Sequence, residues 1–201
     1  MDTIAISKVY SKYAPFYDYL FGEIFAHGRY RAIQLMDPQP GDEILEVGIG
    51  TGVTLPLYPR YSRVVGIDIC NEMLEKARKR KLSRGLSHVS LYRMDVERLA
   101  FADGRFDKVI AAHVITVVPG PVEAIMEMKR VCKKGGEIFI LNYFGNRDGV
   151  LSKVISPVRK KLGLGKPLNP EKILEDAKLK ILEIHRCNFL KLFHLIRCKN
   201  E

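Results

Sequence analysis

Along the chain, short apolar runs alternate with longer segments in which apolar residues recur every three or four positions. The runs at 44–47, 64–67, 89–94, 106–113 and 137–142 are too short for stable helices, so each predicts a buried strand. Between them, 71–82 places Met73, Leu74 and Ala77 on one face and Lys76, Arg78, Lys79, Arg80 and Lys81 on the other, which predicts an amphipathic helix with a solvated basic side. A second helix is expected over 121–133, with Lys133-Lys134-Gly135-Gly136 as its stop. A further helix is expected after Gly52, with Pro56 tolerated in its first turn. Asn169-Pro170-Glu171 has the form of an N-cap followed by proline at the first helical position. The strands at 180–187 and 191–198 are joined too tightly to be parallel, and this pairing sets Cys198 opposite a residue near Lys180 rather than Cys187. Alternating strands and helices closed by a hairpin predict an α/β doubly wound sheet of seven strands, mainly parallel with one antiparallel strand.

The first strand carries the chemistry. Ile44 to Val47 runs into Gly48-Ile49-Gly50-Thr51-Gly52, three glycines at alternate positions, where the backbone can turn tightly and admit a ligand close to its N–H groups. A dinucleotide site is the alternative for such a turn, but its G-x-G-x-x-G spacing would need glycine at Val53. The second strand ends at Asp68, twenty positions after Gly48, placed to accept hydrogen bonds from ribose hydroxyls. The third ends at Asp95, where an acid can accept from an adenine amino group. Either acid alone is more often a cap or a turn residue, but together at successive strand ends they point to a nucleoside.

This set resembles the cofactor site of the class I S-adenosylmethionine-dependent methyltransferases, with their Rossmann-like sheet. The resemblance implies S-adenosyl-L-methionine as cofactor and extends its site to Glu46, Thr51, Ile69, Met73 and Val96, with Tyr17 closing over it. The acceptor is then expected beyond the fourth and fifth strands, at 112–119 and 142–144. No Asn-Pro-Pro-Tyr or Asp-Pro-Pro-Tyr follows the fourth strand, which argues against a nucleic-acid base as substrate.

A narrower similarity rests on Tyr17-Asp18-Tyr19-Leu20-Phe21-Gly22, His27-Gly28-Arg29, His113-Val114, Val117-Val118-Pro119-Gly120-Pro121, Arg130-Val131-Cys132, Gly135-Gly136-Glu137-Ile138 and Asn142-Tyr143-Phe144. These stretches look like the small soluble bacterial phospholipid N-methyltransferases that act on phosphatidylethanolamine. The likeness implies an amine acceptor, with His113, Asn142 and Tyr143 facing it. Tyr143 departs from the family, where histidine is expected. Quinone-type and other small-molecule methyltransferases share the cofactor half, and a protein that binds the cofactor without chemistry is the reading from outside the enzymes.

Length and charge complete the expectation. The 201 residues suit one domain. It divides into a helical cap at 1–40, rich in aromatics and broken at Pro15, a cofactor core at 41–145, a basic lid or membrane-facing insertion at 146–170, and a C-terminal helix and hairpin at 171–201. Apolar residues make up 47% of the chain, yet no run approaches the ~20 needed to span a bilayer. The formal charge of +10 is compatible with an anionic membrane surface. The expectation is a cytoplasmic protein, peripheral to the inner face of the membrane, with its four cysteines reduced and structural.

Overall fold

The computed structural model describes residues 11, 17–143, 169–187 and 193–201, and of residues 17–25 and 143 the backbone only. The expected break at Pro15, the aromatic side chains of 10–25, Phe144 and the basic segment 151–168 lie outside the described residues.

Seven strands form one sheet: β1 (Glu43–Val47), β2 (Arg63–Asp68), β3 (Val89–Arg93), β4 (Phe106–Ala112), β5 (Cys132–Tyr143), β6 (Lys180–Cys187) and β7 (Phe193–Lys199). Their order is β3-β2-β1-β4-β5-β7-β6, and only β7 runs against its neighbours. The chain winds outward from β1 through β2 to β3, then returns to β4 on the other side of β1. That reversal opens a crevice at the carboxyl ends of β1 and β4, where a doubly wound sheet binds its ligand.

Alternation along the strands builds two cores. Leu45, Val47, Ile67, Val109, Ala111, Ile138, Ile140 and Ile196 face one side and pack with α3 (Pro121–Val131) and α4 (Pro170–Asp176). Ile44, Val64, Ile110, Phe139, Leu141 and Leu195 face the other, against α1 (Tyr17–Met36) and α2 (Asn71–Ser83). The hairpin sets Ile181 opposite Cys198, next to Lys180 as the spacing predicts. All four cysteines are buried and free, and burial pushes the thiols of Cys70, Cys132 and Cys198 up to about 11, 12 and 12. Among the described residues no helix is long and apolar enough to cross a membrane.

Two local expectations need correction. No α-helix follows Gly52; the chain makes a short 3-10 turn at Leu55–Leu57 and descends directly to β2. Pro56 and Pro59 both lack an N–H, and two such residues in the ten positions between Gly52 and β2 break an α-helical ladder. The glycine turn therefore offers its own backbone N–H groups, without a helix dipole behind them. The helix over 121–133 stops earlier, at Val131, and β5 begins at Cys132 rather than at 137. The buried amide of Asn200 explains this, since its Nδ2 donates to the carbonyls of Lys129, Cys132 and Lys133 at 2.8 to 3.1 Å. Gly135 and Gly136 then bond the backbone of Asn200 instead of ending the helix.

Candidate active site

The glycine turn is shaped by what surrounds it. At Gly48, φ is +64°, and a Cβ there would stand 2.1 Å from Cγ2 of Val114, so both conformation and contact exclude a side chain. Gly50, with φ +56°, has no atom within 4 Å of where a Cβ would be, and its N–H donates to Oδ2 of Asp68 at 2.8 Å. The other oxygen of Asp68 accepts from the N–H of Cys70 at 2.8 Å. One carboxylate thus ties the turn after β1 to the start of α2. Burial raises the pKa of Asp68, and the N–H groups of Cys70, Gly50 and Ile69 partly offset the rise.

Around this turn lies a cleft of about 860 Å³, open solvent at its mouth included, lined on one side by Gly48, Gly50 and Thr51 and on the other by Ile69, Met73, Met94 and Val96. Asp68 and Asp95 stand on its wall at the tips of β2 and β3. Asp95 also accepts from the N–H of Glu97 at 3.0 Å, so it shapes the turn that follows as well as facing the cleft. Met73 comes from the first turn of α2, whose inward face begins there.

Two of the named cofactor residues sit behind this wall. Glu46 is buried beneath the turn, where Thr54 Oγ1 donates to both its oxygens at 2.7 and 2.8 Å and the Tyr58 hydroxyl donates at 2.8 Å. Burial pushes its pKa up to about 7, against those hydrogen bonds and the positive charge of Arg29. Gly52 packs away from the cleft, where a Cβ would meet Leu55 Cδ1 at 2.7 Å and Ala77 Cβ at 3.0 Å. The Tyr17 side chain lies outside the described residues.

The far end of the cleft is formed by the segment after β4, with His113, Val114, Val117, Val118 and Pro119 on its wall. His113 adopts φ +64°, donates its N–H to the Leu141 carbonyl at 2.7 Å, and sets its ring edge-on to Phe193 at 5.1 Å. Burial, with Arg29 adding to it, holds the imidazole well below its usual pKa, so it is neutral at physiological pH. Asn142, on β5 opposite His194, is 1% exposed, and neither its Oδ1 nor its Nδ2 finds a partner among the described residues. It does not line the cleft wall. The backbone of Tyr143 pairs with Phe193, and its side chain lies outside the described residues.

Arg29 is the functional candidate that strand-end motifs do not reveal. It is 8% exposed and lines the cleft from α1. Its position was legible in the helix, since 29, 32, 33 and 36 share one face and the last three are buried apolar residues.

These features fit an adenosyl amino acid. Carboxylates stand at the tips of β2 and β3, the walls beside them are apolar, and the backbone at Gly50 is open to a close approach. A family described as "Methyltransferase domain" matches residues 45–140. Over 187 residues the chain is 37% identical to a phosphatidylethanolamine N-methyltransferase of Cereibacter sphaeroides, covering 91% of each. The chain belongs to the S-adenosylmethionine-dependent methyltransferases. The methyltransferase is also 32% identical over 161 residues to the ubiquinone/menaquinone biosynthesis C-methyltransferase UbiE of Pseudomonas putida (strain W619), covering 74% of this chain and 61% of that one. In fold, it matches a structure from the complex between the Haloferax volcanii Trm112 methyltransferase activator and a methyltransferase, with a TM-score of 0.82 at 16% identity, over 95% of this chain and 97% of that one. Membership of this family makes S-adenosylmethionine the cofactor of this enzyme.

Proposed function

We propose that this methyltransferase transfers methyl groups to the amine of a phospholipid such as phosphatidylethanolamine. The observation that carries the reading is end-to-end similarity to a phosphatidylethanolamine N-methyltransferase, 91% of both chains, against 61% of the length of the quinone-pathway enzyme. A match confined to the cofactor half would not distinguish acceptors.

S-adenosylmethionine supplies an electrophilic methyl group on sulfur, which an amine lone pair displaces directly. In this reading Asp68 and Asp95 hold ribose and adenine, while Gly48, Gly50 and Thr51 hold the amino-acid part. Glu46 and Gly52 act through the shape of the turn, and Ile69, Met73 and Val96 supply apolar walls. The residues beyond β4 then receive the acceptor. An ammonium has no lone pair to give, so the site must favour the neutral amine. The desolvation that keeps His113 uncharged lowers the pKa of an ammonium beside it in the same way. His113 thus orients an amine and accepts its hydrogen bond, while its low basicity makes it a weak proton sink. Asn142 and Tyr143 lie at the same end of the sheet.

A protein of formal charge +10 acting on a lipid is expected to meet its substrate at an anionic surface. The decisive experiment is transfer of radiolabelled methyl from S-adenosylmethionine into a total lipid extract, run beside a soluble metabolite extract. Label in an amine-bearing phospholipid is expected. Label only in quinone precursors or soluble metabolites overturns the acceptor and leaves the cofactor site intact. Flotation with anionic vesicles tests the surface, and binding should weaken as salt rises.

A further inference from the structure

One stripe of α2 follows the glycine turn from the cleft wall to the far end of the helix. Met73 lines the cleft, and Ala77, one turn on, packs so close that a Cβ on Gly52 would stand 3.0 Å from its own. Arg80, in the last turn, reaches back to Thr51: its Nη1 donates to the Thr51 carbonyl and lies 3.4 Å from the Thr51 hydroxyl oxygen. Long side chains on a helix lean toward its N-terminus, which carries the guanidinium up to the turn. The basic run 76–81 reads as a solvated face, and Lys79 is exposed while Arg78 pairs with Glu75 at the surface. Arg80 instead turns toward the protein.

The peptide it holds is one that no α-helix holds. Had a helix continued from the turn, the Thr51 carbonyl would accept from the N–H of Leu55, four positions on. The Leu55 N–H goes to the Gly52 carbonyl instead, at 3.1 Å, and the Arg80 guanidinium donates where that helical donor would have stood. At the other edge of the same peptide plane, the Gly52 N–H donates to the Ile49 carbonyl at 3.0 Å and closes the turn over Gly50 and Thr51. Rotation of the Thr51–Gly52 plane would break both bonds together. Gly50 and Thr51 line the cleft, so the setting of this plane shapes the surface that a ligand meets.

We propose that Arg80 is a positioning residue for cofactor binding, fixing the Thr51–Gly52 peptide so that the turn after β1 keeps the form that receives S-adenosylmethionine. This role rests on the placement of the cofactor at the glycine turn, as proposed above.

Isothermal titration of the full-length protein with S-adenosylhomocysteine tests it without turnover. Wild type is compared with Arg80→Ala, with Lys79→Ala as a control for charge on the same helix, and with Asp68→Asn as a control for the site. Arg80→Ala is expected to bind roughly 10-fold more weakly, as for loss of one charge-assisted hydrogen bond, while Lys79→Ala binds as wild type. Guanidinium chloride at millimolar concentration should restore part of the affinity of Arg80→Ala and leave wild type unchanged. Wild-type affinity with a lowered melting temperature would show that Arg80 only braces the fold, and an equal loss in Lys79→Ala would show a long-range effect of charge. Either result, or weakening that guanidinium does not relieve, overturns the proposal. If Asp68→Asn is weakened and Arg80→Ala is not, the cofactor site stands and the role of Arg80 falls; if neither is weakened, the site falls with it. Should Arg80→Ala fail to fold, Arg80→Gln, with a shorter side chain ending in an amide, takes its place. Weaker binding is again expected, and wild-type affinity again overturns the assignment.

Discussion

At the β2–β3 end of the cleft, both oxygens of Asp68 are engaged by backbone N–H groups and Asp95 is tied into its own turn. At the β4–β5 end, a non-glycine residue sits at φ +64°, a buried imidazole is held neutral, and the amide of Asn142 has no partner among the described residues. The first end is complete before a ligand arrives and presents a preorganised surface to a constant molecule. The second carries backbone strain and an amide with no partner among the described residues, features that a protein retains where a ligand makes use of them. In the function proposed here, one half of the cleft takes the cofactor common to the family and the other takes an acceptor that its members vary.

The sharpest way to break this contrast is at the turn itself. Gly48→Ala adds a methyl group 2.1 Å from Val114 and forces alanine to φ +64°, which should cost about 2–5 kcal/mol of stability and abolish cofactor binding. Denaturant melts and titration with S-adenosylhomocysteine check it, and adding Val114→Ala should return the steric part alone.

Next in size is the buried acid behind the turn. The folded-state pKa of Glu46, about 7, lies above the ordinary 4.5, so its proton is bound more tightly in the folded protein. That contribution to stability is whole below pH 4.5 and is lost as pH rises through about 7, amounting to at most about 3 kcal/mol. Glu46→Gln, neutral throughout, should lack this slope, so chemical melts between pH 4.5 and 7 should show the variant gaining on wild type as pH rises.

Asp68→Asn leaves one oxygen to accept and turns an amide N–H₂ towards the other backbone donor. Affinity for S-adenosylhomocysteine should fall roughly 10- to 100-fold, with a smaller loss of stability. The smallest effect has the opposite sign. Asn142→Leu replaces a buried amide that has no partner among the described residues with an apolar group of similar size and should raise stability by about 1–2 kcal/mol while methyl transfer falls and cofactor affinity holds. A loss of stability would show that the amide is structurally satisfied, and the two ends of the cleft would then be built alike.

How much of this was legible before folding differs between the two ends for a physical reason. The alternation at 44–47, 64–67 and 89–94 announces strands, and the glycines and acids that end them are neighbours in sequence of the backbone they shape. The Gly50 to Asp68 hydrogen bond spans a single strand-to-strand step, so spacing alone brought those groups together. Where local pattern met non-local competition it misled. Lys133-Lys134-Gly135-Gly136 reads as a helix stop, yet Asn200, some seventy positions away, bonds the end of α3 and converts those residues into the start of β5. The expected helix after Gly52 failed more simply, because two prolines in a short connection remove the donors it needed.

Local patterns along the chain were enough for the strand ends, the order in which strands and helices follow one another, and the spacing of Gly48, Gly50, Asp68 and Asp95, because each depends on residues a few positions apart or on one crossover. Only the tertiary structure decided that Glu46 lies beneath the turn, that Arg29 reaches the cleft from a helix before the first strand, and that His113 is kept neutral. Those outcomes depend on burial and on charges brought together from α1, β1 and β4, and desolvation has no value until the chain has closed around the group it acts upon.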